Sequence, residues 1–420
     1  MDHKIIMALC VWMMLPGMAF AAPCGAQMEF LSHPPMADMN VISGISPLGK
    51  TAGPDHIYPT HINYFDAHVD DDNQPLFPGS TVVVPGNLMV TAISWNKANG
   101  EGVDDWHIDF RPCDEVRFAI HHLASISHPQ LSARAQEIKS GINAWCHIEN
   151  NETVFCAGAV DTQVQGGETL GTAVWPGTIG INFITWDTRD PNPNQFITPS
   201  RYVLEYEELP AVMNDPDTGI PPALYNEITP SRLDGRCTLD YYPAEIAAAM
   251  IDKLGNYDGT IPSTATPKCG NISMDIAGTA QGGWFPPEAA DSAWLFNEAI
   301  GIALVPDYVT PAANLFSIGH ELITDAPSDA ISFVREKNGL INREFKAVDA
   351  VGRTFCWQRL LQHLPGRDPN DSLQGFAPVD GVIIARLNSP TEMDIEYKAQ
   401  ESSCDKSSML FTENKKTVVR

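Results

Sequence analysis

The stretch GPDHIYPTHINYFDAHVDDDNQPLFPGSTVVVPGNLMVTAISW, residues 53–95, joins the chain's densest group of histidines and acids to a clear apolar β-run. Its first part holds His56, His61 and His68 with Asp55, Asp66, Asp70, Asp71 and Asp72, close enough in sequence for several side chains to meet on one ion. Its second part, TVVVPGNLMVT at residues 81–91, places β-branched residues on either side of Pro-Gly-Asn, the composition of strand, turn and strand. A β-fold built around this run is the expectation from which the rest of the chain is read.

Working outward, strands are predicted over 81–84, 89–95, 107–110, 116–120 and 179–186, each a β-branched or aromatic run bounded by Gly, Pro, Asn or Asp. Further strands are predicted over 316–318, 330–334, 345–348, 354–357, 382–387 and 393–397. Only LSARAQEI at 131–138 and AEIAAAMIDKL at 244–254 read as helices, the second with Pro243 suited to a first turn and Gly255 to a stop. The fold class is therefore mainly β, in two domains: 23–190, and a second, mostly β domain at 231–420. Between them, residues 191–230 form a Pro-rich linker containing DPNPNQFITPS and NDPDTGIPPALYNEITPS.

Residues 1–22, MDHKIIMALCVWMMLPGMAFAA, have the charged start, apolar centre and small-residue exit of a secretory signal peptide. The apolar run stops at Pro16-Gly17, short of the ~20 residues of a bilayer-spanning helix, so no transmembrane segment is expected after cleavage. A secreted or periplasmic location follows. Removing Cys10 with the leader leaves eight cysteines, an even number that suits an oxidising compartment. The local pairs Cys146 with Cys156, Cys237 with Cys269, and Cys356 with Cys404 are expected; with no CxxC, a thiolate zinc site is not. A formal net charge of −26 disfavours nucleic acid and anionic membranes as partners.

Three segments carry a resemblance. TVVVPGNLMVT, then RFAIHHLASIS at 117–127, then VQGGETLGTAVWPGTIGINF at 164–183 follow one another as do the motif strands of a lysostaphin-type (LytM) zinc metallopeptidase domain, whose fold is the duplicated hybrid motif. The resemblance spans roughly residues 50–190. It implies that His122 stands where the family has the catalytic histidine of Y-x-H-L, with His121 as a shifted alternative. For the family's His-x-x-x-Asp metal pair, His68 with Asp72 has the spacing, His61 with Asp66 is one residue longer, and His56 is a further candidate. The closing H-L-H-F is Gly180-Ile181-Asn182-Phe183 here, so glycine replaces one catalytic histidine and asparagine a metal ligand.

Neutral asparagine cannot supply the basicity of imidazole to zinc. The preferred expectation is thus a peptidase-like domain without peptidase activity and without a metal, binding or scaffolding at the cell envelope, with peptidoglycan or an envelope glycan or peptide as partner. The alternative is an active zinc metallohydrolase whose ligands are drawn from His56, His61, His68, Asp72 and His122. A structural envelope or matrix protein is the third reading.

Ordinary structural roles compete with these. On a regular strand adjacent His121 and His122 point to opposite faces, one into the core. Residues 70–72 suit a solvated turn. In the second domain, GTAQGGWF at 278–285 reads as a close-packed bend or a ligand-facing loop, the latter making Trp284, Phe285 and Arg343 the candidate ligand-binding residues.

Overall fold

A computed structural model describes residues 22–51, 56–70, 72, 74–97, 104–149, 152–173, 180–190, 194–202, 224, 231–289, 298–327, 330–349 and 351–420. The predicted leader, apart from Ala22, and most of the predicted linker lie outside the described residues.

Ten strands come first: β1 (Ile42–Ser46), β2 (Ile62–Ala67), β3 (Ser80–Val83), β4 (Leu88–Lys97), β5 (Asp104–Arg111), β6 (Val116–Ile126), β7 (Trp145–Glu149), β8 (Glu152–Val164), β9 (Thr169–Ala173) and β10 (Gly180–Asp187). They form one antiparallel sheet in the order β1-β2-β10-β6-β5-β4-β8-β7, with β9 joining β3 to β6. Side chains alternate across it. Phe65, Ile181, Phe183, Phe118, Ile120, Ile108 and Phe110 fill the main core on one face. Tyr64, Asn182, His121 and His107 belong to the other, because each is one residue out of phase with the core set.

Two smaller antiparallel sheets follow. Their strands are β11 (Gly282–Trp284), β12 (Ile302–Pro306), β13 (Asn314–Ile318), β14 (Ile331–Ser332), β15 (Thr354–Trp357), β16 (Leu360–Gln362), β17 (Pro378–Val379), β18 (Val382–Ser389), β19 (Glu392–Lys398) and β20 (Lys416–Val419). One sheet runs β11-β12-β13-β14-β16-β17 and the other β15-β18-β19-β20. An aromatic cluster lies in their shared core: Phe316 sits 4.7 Å from Phe345 and 5.1 Å from Trp357, ring centroid to centroid. The strand expected over 345–348 is instead a 3-10 turn, Phe345–Ala347. Phe345 and Val348 are both fully buried, and that three-residue spacing is helical rather than a strand's.

Among the described residues the α-helices are α1 (Ser132–Lys139) and α2 (Ala244–Ile251), at the two predicted places. No helix among them is long and apolar enough to cross a membrane. The main core takes in residues on both sides of position 230: Leu239, Tyr241, Met250 and Leu254 pack with Phe65 and Phe118, and Tyr58 stacks on Phe285 at 4.6 Å. Four disulfides tie the chain: Cys24–Cys113, Cys146–Cys156, Cys237–Cys269 and Cys356–Cys404, the last three as expected. These bridges point to an extracytoplasmic protein.

Candidate metal centre

The site is built by an irregularity between β5 and β6. Ile108 pairs with Ile120 and Trp106 with Leu123, so His107 alone on β5 faces two residues, His121 and His122, on β6. That one-residue excess is a β-bulge, a device that re-aims side chains. It is closed by His122 at φ 70°, in the left-handed region, a conformation histidine visits more often than most non-glycine residues. The bulge shifts the phase of β6, leaving Leu123 in the core and bringing both histidines to the His107 side. The expected one-in, one-out arrangement is corrected accordingly.

Asp105 and His107, two apart on β5, share that side. One ligand atom each from Asp105, His107 and His122 lie within 4.8 Å of one another. Asp105 Oδ1 is 3.4 Å from His107 Nε2, and Asp105 Oδ2 is 3.2 Å from His122 Nδ1. Tetrahedral zinc with bonds of about 2.0–2.1 Å separates its ligand atoms by about 3.3 Å; the two contacts are of that order but run to different carboxylate oxygens, and they are also the lengths of charge-assisted contacts between the side chains themselves. Side-chain exposures of 12 % for Asp105, 17 % for His107 and 32 % for His122 leave the group reachable from solvent. His121 stacks flat on His107, with ring centroids 4.0 Å apart and planes 9° apart. Packing on one side thus holds the His107 ring in place.

The electrostatics are uneven. Burial pushes the Asp105 carboxyl up, but hydrogen bonds from His107 and His122 and the nearby imidazoles outweigh it and hold the group well below its ordinary value. Asp105 is therefore a carboxylate at neutral pH, the form that ligates. Burial first, then neighbouring His107 and His122, push the His121 imidazole far down, keeping it neutral. The other cluster of ligand-type side chains among the described residues, Cys24, Cys113 and Glu115, is no metal site, since both sulfurs are spent in a disulfide.

Of the residues singled out in the sequence, only His122 enters the triad. His121 adjoins it through its stack on His107. His61 and His56 lie elsewhere, His61 beside Trp186 at 5.6 Å and His56 beside Tyr64 at 6.1 Å between ring centroids. Asp66 is buried and accepts a hydrogen bond from Ser46 Oγ at 2.8 Å. Burial pushes its carboxyl up to about 6, against the opposing pull of Lys50 and Ser46. His68 sits against Phe77, and Asp72 is exposed in a turn stapled by Asp70, whose Oδ1 accepts from the Asp72 and Gln74 amides. Among the described residues neither His68 with Asp72 nor His61 with Asp66 belongs to a group of three converging ligand atoms. In the second half, Trp284 and Phe285 are core residues: the Trp284 indole donates to Ala280 O at 2.9 Å, and Phe285 lies under Tyr58. Arg343 donates to the Glu336 and Lys337 carbonyls.

Gly180 has a packing reason to be glycine. A Cβ there would lie 1.8 Å from the carbonyl oxygen of Phe65 on β2, so no side chain fits whatever its chemistry. Asn182 lies between Tyr64 and His121 in register, presenting an amide where the resemblance implies a ligand. Asp105 and His107 are the residues sequence reading passes over. Their signal was the Asp-x-His spacing in DDWHIDF, two ligand types on one strand face.

Compared with protein-family models, curated proteins and solved structures, the chain matches none of them.

Proposed function

We propose that this is a secreted or periplasmic protein that binds one divalent transition-metal ion at Asp105, His107 and His122. The convergence of one carboxylate and two imidazoles on the β5–β6 bulge carries this reading. The donor set is nitrogen and oxygen with no thiolate, which suits zinc and excludes a structural cysteine site. Three protein ligands leave a fourth position for water, the composition of a catalytic rather than a closed structural centre. A zinc ion there would bring bound water near neutrality as a nucleophile, so metal-dependent hydrolysis is the activity this donor set supports. It is a rearranged centre, one strand pair away from the position that the LytM resemblance implies.

Metal analysis of protein purified without chelator tests it, followed by zinc titration of the stripped protein. One equivalent of zinc is expected, with binding weakened at least about 100-fold in Asp105→Ala, His107→Ala and His122→Ala. Absence of stoichiometric binding, or an equal loss in His68→Ala, would overturn the assignment. A second reading, a metal-free module that binds an envelope glycan or peptide, is favoured by the amide at Asn182. A full chain that takes up no stoichiometric zinc yet binds such a glycan or peptide would leave that reading standing.

A further inference from the structure

The same polar face carries a second constellation that the metal centre does not use. Trp186, on β10, has two companions. The Arg117 guanidinium, its register partner on β6, lies over the indole at 4.1 Å, and the His61 ring is 5.6 Å from it. His61 is only 4 % exposed, yet neither Nδ1 nor Nε2 meets a hydrogen-bond partner. The buried Nε1 of Trp186 and Nδ1 of His56 are in the same state. Buried polar atoms in native proteins are almost always satisfied, by the chain, by ordered water or by a ligand, because leaving them bare costs about 1–3 kcal/mol each. Four such atoms on three neighbouring rings mark a place built to receive something polar.

The charge of that something follows from the surroundings. Besides burial, Arg232, Arg117 and His56 push the His61 imidazole down, and Arg232, Lys50 and His122 act likewise on His56, whose pKa falls to about 4. The acids sit behind these cations rather than at the imidazoles: Glu298 pairs with Arg232, which fixes its position, and Asp234 feels Arg117. The field that disfavours imidazolium favours a bound anion. A neutral imidazole N–H and the indole N–H are donors, and a carboxylate is acceptor-only. Gly235 closes one side: it bridges Trp186, and a Cβ there would meet His61 Cβ at 2.6 Å.

We propose that His61, Trp186 and Arg117 form an anion subsite that takes a carboxylate group of the protein's ligand. Along β10, Trp186 is four residues from Asn182, the partner of His121, a run of roughly 13 Å. A ligand with one acidic end in this subsite reaches the metal centre with its other end; that reach rests on the metal-centre reading, while carboxylate binding does not.

Formate, with formamide as its uncharged counterpart, probes the subsite in the chelator-treated, 15N-labelled full chain. The Trp186 indole resonance is identified by its absence in Trp186→Phe. Formate is expected to shift it saturably, formamide to leave it in place, and His61→Phe to weaken formate by about tenfold or more, the loss of one hydrogen bond to a charged group. The other indole signals report that His61→Phe remains folded. Equal shifts from formate and formamide, no formate shift at any concentration, or loss of the shift in His122→Ala would overturn the subsite. Formate binding in a protein that takes up no zinc would sink the metal centre and leave the subsite intact. Zinc binding without a formate response would do the reverse.

Discussion

The bulge on which the proposed metal centre rests is testable by the sign of one comparison, His122→Gly against His122→Ala. Both remove the imidazole and its hydrogen bond to Asp105, 3.2 Å in length, so that loss cancels. In an ordinary strand glycine is the worse residue by about 0.5–1 kcal/mol, because its unfolded chain is freer. At φ 70° the balance inverts. A Cβ in the left-handed region costs about 1–2 kcal/mol, which exceeds the entropic advantage of alanine and leaves His122→Gly the more stable by about 0.5–1 kcal/mol. Guanidinium unfolding of the two variants, with chelator present and m-values compared, reads the difference directly. Alanine more stable than glycine by about 0.5 kcal/mol would mean that β6 runs through residue 122 as a regular strand. His122 would then point into the core, and the triad would not exist.

Three further outcomes follow from the packing and the charges. The stability difference between wild type and His56→Asn depends on pH. The imidazole titrates near 6.5 unfolded and near 4 folded, so its contribution is retained above 6.5 and lost as pH falls towards 4, by about 2 kcal/mol between pH 7 and 4.5. Asp66 moves wild type the opposite way, because its raised carboxyl takes up a proton in the folded state first, but it is common to both proteins and drops out; a pH-independent difference would refute a buried neutral His56. Gly180→His, which writes the resemblance's histidine back into β10, destabilises by about 3 kcal/mol or more because of the clash with Phe65 O, and soluble, wild-type-like melting would contradict the strand spacing. Replacing Cys237 and Cys269 with alanine opens a bridge 32 residues apart in sequence and costs about 2–5 kcal/mol, seen as a lower denaturation midpoint.

Most strands were legible because their apolar residues alternate between turn-forming ones, as in Leu88–Lys97 and Val382–Ser389. Local disulfides were legible too: Cys146 and Cys156 are direct partners across β7 and β8. What escaped was whatever depended on a break in period. Residues 116, 118 and 120 are core positions, and so are 123 and 126, a change of phase visible in VRFAIHHLASI but meaningful only once β5 is laid beside it. Reading His121 and His122 as an in-and-out pair assumes the period continues. The densest histidine and aspartate stretch contributes no residue to the proposed triad. Its acids at 70 and 72 close a turn, while its histidines at 56 and 61, partly and fully buried, lie beside aromatic rings.

The same reasoning changes what the substitutions in the last motif mean. Read alone, Gly180 and Asn182 look like a catalytic strand that has decayed. In the structure β10 runs so close to β2 that position 180 admits no Cβ, and glycine there is a condition of the sheet. A histidine at 180 is therefore incompatible with this pairing of strands, independent of any loss of activity. Imidazoles reach the polar face by other routes: His107 from the regular alternation of β5, and His121 and His122 from the extra residue in β6. The proposed metal binding then depends on the bulge, and the bulge on a left-handed residue that histidine tolerates and a β-branched residue would not. His122→Val, which lacks both the ligand and the conformation, should lose more stability than either the glycine or the alanine variant.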